Sequence, residues 1–140
     1  MKPSSLFPLL LSLLLLWSCG STETSQAQTS DDATYQLLNS ADFQAQIEGL
    51  SAGQLLDVRT PEEFGAGTIP GSANLNVLDP SRFSVGLTEL DPQAPIYVYC
   101  KSGKRSNKAV NAMKAAGFQQ IYELDGGFLA WKKDGLPVQE

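Results

Sequence analysis

Apolar residues are spread in two unlike ways along this chain. Leu6 to Trp17 is an almost unbroken run of Leu, Phe and Trp behind Lys2, and residues 20–33, GSTETSQAQTSDDA, then carry no large apolar side chain. From Thr34 onward short apolar runs alternate with stretches of helical periodicity, the signature of βα units and a mainly parallel sheet. Strands are predicted at Tyr35–Leu38, Leu55–Val58, Ala73–Leu75, Ile96–Tyr99 and Ile121–Glu123. Between them, a helix capped by Ser40 runs through Ile47, Pro61 opens a short one through Phe64, and another covers Pro80–Gly86. The clearest helix begins near Ser106, with Ala109, Val110, Met113 and Ala116 on one face and Gly117 as its stop, and a last one covers Gly127–Lys133.

The first eighteen residues read as a secretory signal, since their apolar run is shorter than the ~20 residues a membrane span needs. Its end, Leu16-Trp17-Ser18-Cys19, resembles the lipobox of bacterial lipoproteins, in which the cysteine is lipidated and becomes the new N-terminus. The resemblance implies a membrane anchor on Cys19, stable because several acyl chains hold where one does not. It places the protein, exported, on the periplasmic face of the cell envelope. Gly20 lacks the aspartate associated with inner-membrane retention, so an outer membrane is favoured where the cell has one. Residues 20–33 read as a flexible tether and 34–140 as one folded domain.

Charge and cysteine usage narrow the chemistry. Without the signal peptide the chain has nine cations against fifteen anions, a net −6, which argues against nucleic acid as a partner. The sign is unevenly placed: residues 34–99 hold two cations and eight anions, residues 100–140 seven and four. Four of those cations fall between Lys101 and Lys108. The absence of histidine excludes a Cys-His pair, a Ser-His-Asp triad and any imidazole-based zinc site. With Cys19 lipidated, Cys100 is the only free thiol, an unusual feature in an oxidising compartment.

Cys100 opens the segment CKSGKRS between a strand and a helix. A helix start presents unpaired N–H groups, and a six-residue turn can aim several of them at one point, with Gly103 relaxing the backbone. Positive charge and such amides lower a thiol's pKa, and the thiolate is the nucleophile. Arg105 can fork onto an oxyanion. The competing reading is a structural cysteine beside a solvated helix start.

The same segment resembles the active-site loop of the rhodanese sulfurtransferases. Leu56-Asp57-Val58-Arg59-Thr60-Pro61-Glu62-Glu63-Phe64 resembles that family's DVR-x-PEE segment, and Ile69-Pro70-Gly71-Ser72-Ala73-Asn74 its IPGA-x-N segment. Gly126-Gly127-Phe128-Leu129-Ala130-Trp131 and Gly135-Leu136-Pro137-Val138 are similar to its closing GG-x-x-AW and GLPV. The resemblance implies an α/β, rhodanese-like fold with a five-stranded, mainly parallel sheet and helices on both faces. It implies Cys100 as the catalytic nucleophile, taking sulfur from a small anionic donor such as thiosulfate and passing it to a thiol, cyanide or protein acceptor, with no cofactor and no metal. Lys101, Ser102, Gly103, Lys104 and Arg105 would bind the donor. Asp57 and Arg59 could be catalytic, but a polar pair at a strand end is more often structural support, with Arg59 bridging Glu63. Trp131 and Phe128 read as core. Thr68 stands where the family commonly has histidine.

Two alternatives belong to other classes. Phosphatases related to this fold need five residues between Cys and Arg to admit a tetrahedral phosphate, and here there are four, Lys101 to Lys104. A non-catalytic module that senses sulfur species or docks a partner would be persulfidated without turning over.

Overall fold

The structure, a computed structural model, describes residues 33–50 and 54–140. Cys19, the signal segment and nearly all of the tether lie outside the described residues. Five strands, β1 (Thr34–Leu38), β2 (Leu55–Asp57), β3 (Ala73–Asn74), β4 (Ile96–Tyr99) and β5 (Gln120–Leu124), alternate with five helices. These are α1 (Ser40–Ile47), α2 (Pro61–Gly65), α3 (Pro80–Leu87), α4 (Lys104–Ala115) and α5 (Gly127–Lys133). Every strand pairing is parallel, in the order β1-β5-β4-β2-β3. The expected α/β class and five-stranded sheet are observed, with the sheet parallel throughout. Among the described residues no helix is long and apolar enough to cross a membrane.

Strand alternation divides the interior in two. Leu56, Ile96, Val98 and Ile121 face α3 and α4, where Phe83, Leu87, Ala109, Val110 and Met113 meet them. Leu38, Leu55, Tyr97, Tyr99 and Leu124 face the opposite side, against Phe43 of α1 and Phe128 and Trp131 of α5. Both sheet faces are therefore covered, as a parallel sheet requires. Phe43 sets α1 edge-on to Tyr97 and Trp131, with ring centroids 5.7 and 6.4 Å apart.

Element ends differ from the sequence expectation for local reasons. The cap of α1 is Asn39, not Ser40: the Asn39 side chain accepts from the Asp42 N–H. Helix α4 begins at Lys104, two residues before Ser106, because Gly103 takes the left-handed φ of 95° that a side chain disfavours and so turns the chain into the helix early. Ala116 is its C-cap and exposed, not part of the buried face.

The strand order places the site. Connections from β2 run to β3 at one edge and those from β4 to β5 on the other side, so the direction reverses between β2 and β4. Open α/β sheets bind ligands in the crevice at such a point, beyond the strand C-termini. The segments that leave β2 and β4 there are Val58–Thr60 and Cys100–Gly103.

Candidate active site

The loop after β4 wraps the sulfur it begins with. Cys100 is 1% exposed, and its Sγ accepts the Gly103 N–H at 3.1 Å. Ser106, at the first turn of α4, places its hydroxyl 3.5 Å from Sγ. Burial raises the thiol's pKa, but the Ser106 hydroxyl and the backbone amides of Ser106, Ser102 and Arg105 outweigh it, so the thiol sits below the usual range. Lys101, Ser102 and Lys104 are exposed around the loop. The two lysine cations face solvent, and fixed backbone dipoles lie next to the sulfur.

Helix α5 clamps the loop from the side. The Phe128 N–H donates to the Cys100 carbonyl at 2.8 Å and the Leu129 N–H to the Lys101 carbonyl at 3.0 Å. The approach is so close that a Cβ on Gly127, whose φ is 58°, would lie 2.5 Å from the Cys100 carbonyl oxygen. Only glycine fits there without displacing the loop.

Beneath the crevice, the buried pair Asp57–Arg59 closes the end of β2. Arg59 Nη2 meets Asp57 Oδ2 at 2.5 Å and donates to the Gly67 carbonyl at 2.7 Å, while its Nε reaches both Asp57 oxygens. The guanidinium also lies 4.1 Å from the Phe128 ring centroid, which links the pair to α5. Thr68 belongs to the same support: its hydroxyl donates to Asp57 Oδ2 at 3.1 Å and meets the Tyr99 hydroxyl at 2.6 Å. The Ile69 N–H donates to that Tyr99 oxygen. Burial first, and then the Asp57 charge, push Tyr99 up to about 12. At the position of the family's common histidine, then, a threonine hydroxyl completes a buried polar network, and among the described residues no buried side-chain N or O lacks a partner.

Two expected partnerships differ. Arg59 does not bridge Glu63, because Asp57, two residues earlier on the same strand end, takes its fork. Arg105 does not turn its fork to an empty anion site. It clasps Glu63 with both nitrogens, at 2.6 and 2.7 Å. Glu63 is in place because the Thr60 capping box starts α2: its carboxylate accepts the Thr60 N–H while the Thr60 hydroxyl accepts the Glu63 N–H. Arg105 thus staples the loop to α2. Sequence reasoning missed Ser106 as a sulfur neighbour, and it missed Glu123 and Tyr35 behind it. The legible signal was an acidic residue on the same strand face as the core residue Ile121.

Residues 39–134 match the rhodanese-like domain family. The chain belongs to that family. This rhodanese-like chain is 36% identical over 85 residues to a protein named sulfurtransferase from Allochromatium vinosum, covering 60% of this chain and 76% of that one. It is 36% identical over 83 residues to the uncharacterized protein YqhL of Bacillus subtilis, covering 59% of this chain and only 64% of the Bacillus protein. Among solved structures, a rhodanese-related protein from Thermoplasma volcanium superposes with a TM-score of 0.64 at 31% identity, over 75% of this chain and 98% of that one.

The Arg105–Glu63 clasp has a definite pH signature. Arg105 holds the Glu63 carboxyl down at about 2. A carboxyl depressed in the folded state contributes stability that is complete above its unfolded pKa of about 4.3 and fades as pH falls through the folded value. Glu63→Gln, which keeps an acceptor for the Thr60 N–H, is expected to cost about 1 kcal/mol at neutral pH, the upper end for a partly exposed pair. In urea unfolding across pH, the gap to wild type should close between about pH 4.3 and 2. A gap that does not vary with pH would contradict the clasp.

Proposed function

We propose that the protein is a sulfurtransferase that takes sulfane sulfur from a small anionic donor such as thiosulfate, holds it as a Cys100 persulfide and passes it to a thiol, cyanide or protein acceptor. The supporting observation is the sulfur's position: nearly all covered, below its usual pKa, and held by the Gly103 N–H. Family membership and the sulfurtransferase relative point the same way.

The chemistry follows from that geometry. The Cys100 thiolate attacks the outer sulfur of thiosulfate, the S–S bond of the donor breaks, and its electron pair leaves with sulfite. The product is an anionic persulfide, whose charge the loop amides stabilise as preorganised dipoles do at other developing charges. Lys101 and Lys104 draw in the doubly charged donor. An acceptor nucleophile then attacks the outer sulfur and restores the thiolate. Cys100 is the one free cysteine among the described residues, so with Cys19 acylated a thiol acceptor comes from another molecule.

The reading predicts a mass change. Intact mass spectrometry should show one added sulfur after thiosulfate and its loss after cyanide, with none added to Cys100→Ser. An adduct that persists in the serine variant would overturn the assignment, and uptake without release to any nucleophile would favour the sensing reading.

Location is part of the proposal. Residues 1–18 act as a signal peptide, Cys19 carries the lipid, and residues 20–33 tether the domain to the periplasmic face of the envelope. Cys19→Ala should abolish lipid labelling and release the protein from the membrane fraction while the domain stays folded. Membrane association that persists without labelling would refute the anchor.

A further inference from the structure

Behind the sulfur a line of hydroxyl and carboxyl groups crosses the sheet toward the edge strand. Ser106 Oγ, 3.5 Å from Cys100 Sγ, also hydrogen-bonds to Glu123 Oε1, and Glu123 Oε2 accepts the Tyr35 hydroxyl at 2.6 Å. Glu123 is 3% exposed, whereas Tyr35 on β1 is 38% exposed. The line therefore runs from the buried thiol to solvent. No ion pair among the described residues includes Glu123. A buried carboxylate without a cation is costly, and none of the sulfur chemistry above uses it.

We propose that Glu123 takes the thiol proton of Cys100 through Ser106. The S–H bond breaks, its electron pair stays on sulfur, and the proton passes to Ser106 Oγ as the serine's own proton passes to Glu123 Oε1. Thiol and carboxylate become thiolate and carboxylic acid, the hydroxyl is regenerated, and nothing is oxidised or reduced. The interior keeps one negative charge throughout. It moves from a carboxylate with no cation to a sulfur on which amides converge, and the reoriented Ser106 hydroxyl then donates to the thiolate. In a chain without histidine this supplies the base a buried thiol otherwise lacks.

The groups facing this line are few. Tyr35 comes from β1, Cys100 from the end of β4 and Ser106 from α4. Lys114 of α4 lies 4.6 Å from the Tyr35 ring centroid, Asp125 acts on Tyr35 from beyond β5, and Arg105 is engaged by Glu63. Burial and Glu123 together hold the Tyr35 hydroxyl at about 12, so Tyr35 keeps its proton and stays a donor to Glu123. Glu123 is a positioning residue, acting on sulfur through Ser106.

The inference rests on the proposed function only in taking the thiolate as the working form, and its test needs no thiosulfate. In the full chain carrying Cys19→Ala, thiolate absorbance and alkylation by iodoacetamide are followed against pH, with Cys100→Ser as the blank. Glu123→Gln should slow alkylation at about pH 6 by about tenfold, the effect of one pH unit on thiolate share. Its profile should become that of a single ionising thiol, and an infrared carboxylic-acid band present in the parent should be missing. Were Glu123 merely a fixed anion, its removal would relieve repulsion and speed alkylation at pH 6. That outcome, or an unchanged profile, overturns the proposal. If Glu123→Gln does not fold by circular dichroism, Tyr35→Phe decides instead. Tyr35→Phe removes a hydrogen bond made to the carboxylate form, and the relay then requires the alkylation rate at pH 6 to rise about threefold or more. An unchanged or slower rate overturns the relay.

Discussion

A negative charge on a sulfur that water hardly reaches has to be held by the protein alone, and the architecture around Cys100 serves that requirement. Desolvation opposes the thiolate, so the chain must supply donors that need not reorganise. The Gly103 amide at 3.1 Å and the neighbouring amides of Ser102, Arg105 and Ser106 are those donors. They come at no cost in side-chain entropy because they are backbone at a helix start, fixed by α4 itself.

Such a ring of amides holds only if the loop cannot relax, and three attachments prevent that. Helix α5 takes the Cys100 and Lys101 carbonyls, with Gly127 giving the backbones room to approach. Arg105 ties the start of α4 to the capped end of α2 through Glu63. Arg59, locked by Asp57 and seated against Phe128, supports α5 from below. Each attachment joins segments that follow strand C-terminal ends, so the parallel sheet is what brings them to one crevice.

Much of this was legible from residues. Periodicity located all five strands and helices, and the loop sequence singled out Cys100 and Gly103. Side-chain partners were less legible, since a strand pattern shows which face a residue takes but not what crosses to it. Arg105 illustrates this: a cation beside a reactive loop suggests substrate, yet a carboxylate 42 positions earlier occupies its fork. Glu123 is the opposite case. Its acidic side chain on a core-facing position is visible in the sequence, but the Ser106 and Tyr35 hydroxyls that hold it come from elements distant along the chain. Thr68 shows that a departure from the family's pattern can be absorbed by hydrogen bonding, here to Asp57 and Tyr99.

The most direct measurement of the central claim is a crystal structure of the protein after exposure to thiosulfate. The account predicts one extra sulfur bonded to Cys100 Sγ and lying within the ring of amides of residues 102–106, with the Arg105–Glu63 clasp intact. An unmodified Cys100 with thiosulfate held only at Lys101 and Lys104, or an added sulfur turned away from those amides, would contradict it.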